Sequence, residues 1–158
     1  MKGAAWLLAL FALLEIGHPW TFEALRYDRD GLLHGQIWRA LTAHLVHLGP
    51  VHAAMNSLAV LLLVALCQPQ WTVWGWCWRS AALAVPISLG LLAAVPALAS
   101  YVGFSGVAHG LFVLALWPLA VKGDWIARGC LLYLLGKLGW EMMFGAAVID
   151  SAWIGGAV

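Results

Sequence analysis

Long apolar stretches separated by short polar segments make up most of the chain. Five of them stand out: 3–17, 51–67, 80–99, 105–121 and 125–144. Because a helix needs about 20 residues to cross a bilayer, each predicts a membrane span, with Trp20 and Phe22 extending the short first one. The last stretch, 148–158, is apolar but only 11 residues long. We therefore expect an all-α polytopic membrane helix bundle of five spans and the start of an incomplete sixth.

The polar segments differ in character. Residues 18–50 combine three arginines and three acids with amphipathic pieces around Trp38. This mixture predicts a folded loop that lies in the membrane interface. A Trp-rich turn ending at Arg79 separates the second and third spans, and Pro86 and Pro96 are expected to bend the third.

Composition supports a membrane protein and excludes a soluble one. Hydrophobic residues make up 64% of the chain and charged residues 9%, whereas a soluble domain carries about 25% charged residues. The net charge of +1 gives no indication of a nucleic-acid partner. We expect one membrane domain over residues 1–158, with no soluble domain and with the lipid bilayer as its surroundings.

Basic residues predict the orientation of the spans. The N-terminus lacks a small-x-small cleavage site after its apolar run, so it is expected to remain as the first span. Lys2, Arg79, Lys122 and Arg128 would then lie on the cytoplasmic side, and loop 18–50 on the outer side. The three cysteines fall near the inner ends of spans, in a reducing compartment where no disulfide is implied: Cys67, Cys77 and Cys130.

The stretch 103–110 (Gly-Phe-Ser-Gly-Val-Ala-His-Gly) stands where an irregular segment meets the fourth span. Ser105 would be one of the first residues of that helix, where free N–H groups and the helix dipole favour negative charge. Gly103 and Gly106 leave room beside the hydroxyl, as a nucleophilic serine requires. Alternatively, Ser105 is an ordinary N-cap, and Gly106 with Gly110 forms a groove for a packed helix.

His52 and Asn56 lie four residues apart and so share one helix face. Both could donate hydrogen bonds to a developing oxyanion, or they could form an interhelical hydrogen-bonded pair. His44, His47 and His52 do not match the H-E-x-x-H zinc pattern and have no nearby acid, so we predict no metal and no other cofactor. His47 is expected to bond to the backbone of the loop.

Two further groups of polar residues occur in the apolar stretches. His109 follows Ser105 by four residues, a spacing poorly aligned for a general base, so we predict a packing or substrate-side role. Lys137 and Glu141 are expected to form an ion pair that faces the bundle, either to specify the fold or to contact the substrate.

Together these residues resemble the rhomboid intramembrane serine proteases. Trp38-Arg39, Thr42, His47, His52 and Asn56, followed by Gly103-x-Ser105-Gly106, match the family's motifs in order and spacing. The resemblance implies Ser105 as the nucleophile, an oxyanion hole made by His52, Asn56 and backbone N–H groups, and Gly103 as room for the substrate. It also implies that Trp38 and Arg39 brace the interfacial loop.

His109-Gly110 and the pair Lys137-x-x-x-Glu141 are similar to the rhombosortase branch. That branch implies a bacterial inner-membrane enzyme, multi-pass with a cytoplasmic N-terminus, acting on membrane-anchored proteins that bear a C-terminal Gly-Gly anchor segment. Rhomboids carry their general base, a histidine, on a sixth span, which the residues 148–158 do not reach. We expect that span in the intact protein to present its histidine to Ser105 from the Gly106–Gly110 groove. The alternative is a non-catalytic module that binds transmembrane helices.

Overall fold

The computed structural model describes residues 2–144, so the predicted sixth-span segment 148–158 lies outside the described residues. Eight helices and two short strands follow in this order: α1 (Lys2–Ile16), α2 (Trp20–Leu25), β1 (Tyr27–Asp28), α3 (Arg29–Leu33), α4 (Arg39–Thr42), α5 (Pro50–Cys67), α6 (Val73–Ala94), β2 (Ser100–Tyr101), α7 (Ser105–Val121) and α8 (Trp125–Phe144). The bounds of α1, α5, α7 and α8 agree with the predicted stretches to within a residue or so.

The third predicted span, which is helix α6, departs from its predicted bounds. α6 begins at Val73 instead of residue 80, because the Thr72 side chain caps it by accepting a 3.0 Å hydrogen bond from the N–H of Gly75. The Trp-rich stretch therefore belongs to the helix and not to a turn. The helix ends at Ala94, before Pro96, while Pro86 is accommodated inside it.

Two of the described helices are long and apolar enough to cross a membrane, α5 and α6, and α7 is a shorter apolar helix. Many of their large hydrophobic side chains are exposed, including Leu58, Leu61 and Leu89. An apolar surface of this kind suits surrounding lipid, which agrees with the membrane protein that the composition indicates.

Helix α7 is the centre of the bundle and packs against α5, α6 and α8, while α1 packs against α5 and α6. Its first turns contribute Phe104, Val107 and Leu111 to the core, each 0% exposed. These side chains meet Phe11 from α1 and Leu63 from α5 in one cluster. The start of α7 is thus anchored in the core on the side opposite the exposed Ser105.

The groove of Gly106 and Gly110 is filled by α6. A Cβ on Gly110 would lie 2.6 Å from Leu83 Cδ2, and one on Gly106 would lie 3.3 Å from Ile87 Cδ1. The expectation that a sixth span packs into this groove is therefore wrong, because the two glycines already allow the close approach of α6.

The polar segment 18–50 is folded, and Arg39 is its main brace. The guanidinium donates to the carbonyl oxygens of Glu23 (3.1 Å) and Arg26 (2.8 Å) and to Gln36 Oε1 (2.6 Å). β1 pairs antiparallel with β2, with Tyr27 opposite Tyr101. The segment is thereby fastened to the residues that lead into α7.

Candidate active site

A cavity of about 490 Å³ opens between α5, the start of α7 and α8. Seven of its lining residues were singled out from the sequence: His52, Asn56, Ser105, Gly106, His109, Lys137 and Glu141. They come from three helices that are distant in the chain. Packing of α7 against both α5 and α8 brings them to one site.

Ser105 is the first residue of α7 and is exposed to the cavity. The N-cap position is held by Phe104, which is buried and makes no side-chain cap. The interpretation of Ser105 as an ordinary N-cap is therefore wrong. Its hydroxyl lies at a helix N-terminus, where unpaired N–H groups favour negative charge.

His52 lies on the first turn of α5, and its ring contacts Gly103. The N–H of Leu48 donates to His52 Nδ1 at 3.3 Å. Nδ1 is therefore an acceptor, so the neutral imidazole carries its proton on Nε2. Nε2 and its neighbour Cε1 are the ring atoms that lie beside Gly103, 2.7 and 2.6 Å from where a Cβ would stand. The loop before α5 thus leaves His52 with an N–H donor next to the segment that leads into Ser105.

Gly103 accommodates this histidine. Its φ is +116°, a region that side chains rarely adopt, and a Cβ there would lie 2.6 Å from His52 Cε1. Its N–H donates to the carbonyl oxygen of Ala43 at 3.0 Å. The space that the glycine leaves is filled by the His52 ring, whereas the resemblance assigned that space to the substrate.

Asn56 is 4% exposed and lines the cavity one turn after His52. Its Nδ2 donates to the carbonyl oxygen of His52 at 3.1 Å, within the same helix. An amide nitrogen has two hydrogens, so one remains to donate toward the cavity. The bond is intrahelical and not the interhelical pair that was the alternative.

His109 lines the cavity, as a substrate-side role requires, and is bonded to the backbone of Ser105. Its Nδ1 donates to the carbonyl oxygen of Ser105 at 2.6 Å, which leaves Nε2 as the nitrogen that could accept a proton. Within residues 2–144, no hydrogen bond joins a histidine to the Ser105 hydroxyl.

Lys137 and Glu141 form the predicted ion pair on α8, with Nζ 2.5 Å from Oε1. Both side chains line the cavity and are partly exposed, at 36% and 27%. The pair therefore faces the same space as Ser105 from the opposite helix.

Tyr101 is a cavity residue that the sequence analysis missed. It precedes the Gly103 turn, and its hydroxyl donates to the carbonyl oxygen of Gly103 at 3.3 Å. Burial raises the pKa of the phenol, and the Ser105 side chain and Gly106 backbone partly oppose that rise in pKa. The sequence signal that could have identified this residue is a tyrosine placed two residues before Gly103, the glycine of the turn.

His44 and His47 lie behind the site and not in it. His44 Nε2 donates to Ser88 Oγ at 3.0 Å, and Ser88 donates to the carbonyl oxygen of Ala40 at 2.8 Å. His47 is 2% exposed, and neither ring nitrogen has a hydrogen-bond partner in the described part of the chain. The expected bond from His47 to the backbone is therefore wrong.

His47 is held by aromatic contacts, at 4.8 Å between ring centroids from Phe11 and 5.2 Å from His52. Burial, with the nearby His52 as a second cause, lowers the pKa of His47 from 6.5 to about 4. Its ring is therefore neutral at physiological pH. Over residues 2–144, no three His, Cys, Asp or Glu side chains are grouped so as to hold a metal ion.

Comparison with known families shows to which family the chain belongs. The Rhomboid domain profile matches residues 34–158, which include every cavity residue named above. The chain belongs to the rhomboid family. Neither the comparison with curated proteins nor that with solved structures gives a significant match.

Rhomboid family members are generally intramembrane serine proteases that act on membrane proteins within the bilayer. The geometry of this rhomboid suits acyl transfer. An exposed serine hydroxyl at a helix N-terminus, with an imidazole N–H and an amide N–H nearby, is the kind of arrangement that stabilises a tetrahedral oxyanion.

Proposed function

We propose that this rhomboid is an intramembrane serine endopeptidase with Ser105 as its nucleophile. The observation that carries the proposal is the shared cavity. Ser105, exposed on α7, meets His52 and Asn56 from α5 there. A serine used only for packing would have no need of an exposed hydroxyl beside two polar side chains on a neighbouring apolar helix, where polar groups are costly.

In the proposed reaction, Ser105 Oγ attacks the carbonyl carbon of the scissile peptide bond. Its proton passes to a general base and then to the leaving amine, and water later hydrolyses the acyl-enzyme. His52 Nε2–H, the free N–H of the Asn56 amide and backbone N–H groups at the start of α7 stabilise the oxyanion. Gly103 permits this arrangement because it lets the His52 ring approach.

Within residues 2–144, no histidine is hydrogen-bonded to the Ser105 hydroxyl as a general base. We place the base on a segment outside those residues, with His109 Nε2 as the alternative. His109 already uses Nδ1 for the carbonyl oxygen of Ser105, and a base must reach the hydroxyl itself.

The proposed substrates are single-span membrane proteins cut near the outer face. The His109-Gly110 and Lys137–Glu141 features favour the rhombosortase branch, which makes C-terminal Gly-Gly anchor segments the candidate substrates. We also propose a single rhomboid domain with six spans in the bacterial inner membrane. Its N-terminus would be cytoplasmic and segment 18–50 outside, as the positions of Lys2, Arg79, Lys122 and Arg128 suggest.

Fluorophosphonate labelling tests the proposal. We expect the protein in its native membranes to label, Ser105→Ala to abolish labelling, and Ser100→Ala to label like the wild type. Ser100 is the matched control because it lies in β2, outside the cavity lining. Labelling that survives Ser105→Ala would assign the nucleophile elsewhere.

The same assay separates the enzyme from the second candidate function, a non-catalytic module that binds transmembrane helices. That alternative is favoured by the missing histidine bond to Ser105 within the described residues. It predicts no labelling of the native protein, together with binding of a membrane segment that Ser105→Ala leaves unchanged. If the 158-residue chain alone labels, His109 becomes the leading base.

A further inference from the structure

Tyr101 bridges the backbone turn that carries Ser105. Its hydroxyl donates to the carbonyl oxygen of Gly103, two residues before the serine, at 3.3 Å. On the other side, the phenol oxygen lies 3.7 Å from where a Cβ would stand on Gly106, the residue after the serine. One hydroxyl therefore contacts both flanks of the proposed nucleophile.

Ser105, Gly106 and Tyr101 also line the same cavity. The Ser105 side chain and the Gly106 backbone both lower the pKa of the phenol, as hydrogen-bond donors near its oxygen do. A neutral phenol donates one hydrogen and can accept others. Tyr101 can thus donate to Gly103 while its oxygen accepts from Ser105.

Little else restrains the Ser105 side chain. A serine hydroxyl can occupy three staggered rotamers, and its flanking residue Gly106 has no side chain to exclude any of them. Ser105 is exposed, and across residues 2–144 no imidazole is bonded to its hydroxyl. The phenol is therefore the group in the described site that can select one rotamer.

Tyr101 is itself held from outside the cavity. Its backbone pairs with Tyr27 in the two-stranded sheet. Its ring lies 5.5 Å from the ring of His44, which is bonded in turn to Ser88 of α6. The position of the phenol is thus determined by segment 18–50 and α6, before any substrate enters.

We propose that Tyr101 is a positioning residue that orients the Ser105 hydroxyl for attack. This inference rests on the proposed function, in which Ser105 is the nucleophile. The pairing of β1 with β2 thereby has a role in the reaction. It fixes Tyr101 relative to segment 18–50, and Tyr101 in turn orients the Ser105 hydroxyl.

Tyr101→Phe removes only the hydroxyl and is the variant to test. Tyr27→Phe is the matched control, since Tyr27 is the strand partner, is 0% exposed and has a phenol oxygen without a partner in the described chain. We expect Tyr101→Phe to lower kcat, and the rate of fluorophosphonate labelling, by roughly 3- to 10-fold, the effect of one neutral hydrogen bond. KM and the thermal unfolding midpoint should change little. Tyr27→Phe should leave both rates at the wild-type value.

Three results would overturn the inference. One is a Tyr101→Phe rate equal to or above that of the wild type. Another is an equal loss in Tyr101→Phe and Tyr27→Phe with lowered unfolding midpoints, which would mean that the pair serves only the fold. The third is a wild-type protein that does not label at Ser105. In that case the proposed function itself fails. If instead the wild type labels and Tyr101→Phe labels equally fast, only the inference about Tyr101 fails.

Discussion

The two walls of the cavity are built in different ways. The first wall, defined by His52, Asn56, Tyr101 and Ser105, comes from α5, β2 and α7. The segment that leads into Ser105 is tied to distant parts of the chain, because Tyr101 pairs with Tyr27 of β1 and the N–H of Gly103 donates to the carbonyl oxygen of Ala43. The second wall is the Lys137–Glu141 pair on α8. Its ion pair lies within one helix, and α7 is the main packing partner of that helix.

On the proposed function, this difference corresponds to a division between chemistry and recognition. The first wall is pre-positioned, as groups proposed to stabilise a transition state must be, because misplacement by about 1 Å is costly. Three glycines of the same helix, Gly129, Gly136 and Gly139, have open space where a Cβ would stand. Since α7 is the main packing partner of α8, we expect the second wall to shift more readily when a substrate helix enters, and to affect binding more than turnover.

The largest expected effect comes from one methyl group on the first wall. Gly103→Ala would place a Cβ within 2.6 Å of the His52 ring, at a φ of +116° that strains alanine. Displacement of His52 would remove a proposed oxyanion donor, so we expect kcat to fall at least about 10²-fold. Steady-state cleavage of a membrane substrate measures this.

The matched glycine on α8 is Gly136, the residue before Lys137. Gly136→Ala meets no atom within 4 Å, and alanine stabilises a helix by about 1 kcal/mol relative to glycine. We expect wild-type kcat and an unchanged or higher unfolding midpoint. If both alanine variants lost activity equally, the two walls would not differ as described.

A second prediction concerns pH and the support behind the first wall. The pKa of His47 is about 4 in the folded protein and 6.5 when exposed. The unfolded chain therefore binds a proton at His47 more readily than the folded protein does. The contribution of neutral His47 to the free energy of unfolding is complete above pH 6.5. It is lost as the pH falls from 6.5 to 4. We expect the loss to be on the order of 3 kcal/mol, measured by unfolding at a series of pH values.

His47→Leu should flatten this pH dependence, because it removes the proton that the unfolded chain takes up. His34→Ala is the control, since His34 is 73% exposed and close only to Asp30. An unchanged slope in His47→Leu would assign the acid sensitivity to another group.

The smallest expected effect belongs to the ion pair. Lys137→Met with Glu141→Met keeps the apolar stems and removes both charges. Since partly exposed pairs contribute about 1 kcal/mol or less, we expect a change of less than about 5-fold, in KM and not in kcat. Lys137→Met alone should cost more than the double variant because it leaves Glu141 unpaired. A 10²-fold loss of kcat in the double variant would place the pair in the catalytic machinery.

Predictions from the sequence succeeded where local pattern decides structure. The start of α7 at Ser105 follows from the change from an irregular segment to an apolar run. The shared face of His52 and Asn56 and the pair of Lys137 with Glu141 follow from helix periodicity. The start of α6 was missed because Thr72 caps a helix whose first turns are tryptophans, which the composition alone assigned to a turn.

The sequence alone determined the membrane character, most of the helix bounds, the rhomboid motifs and the identity of the residues that could act as nucleophile and oxyanion donors. Only the tertiary structure decided what surrounds each of them. It placed α6 against Gly106 and Gly110, His52 against Gly103, and the phenol of Tyr101 beside Ser105. The reason is physical: periodicity shows which residues share a face, whereas contacts between helices depend on side-chain shape and on which elements meet, and neither can be read from spacing along the chain.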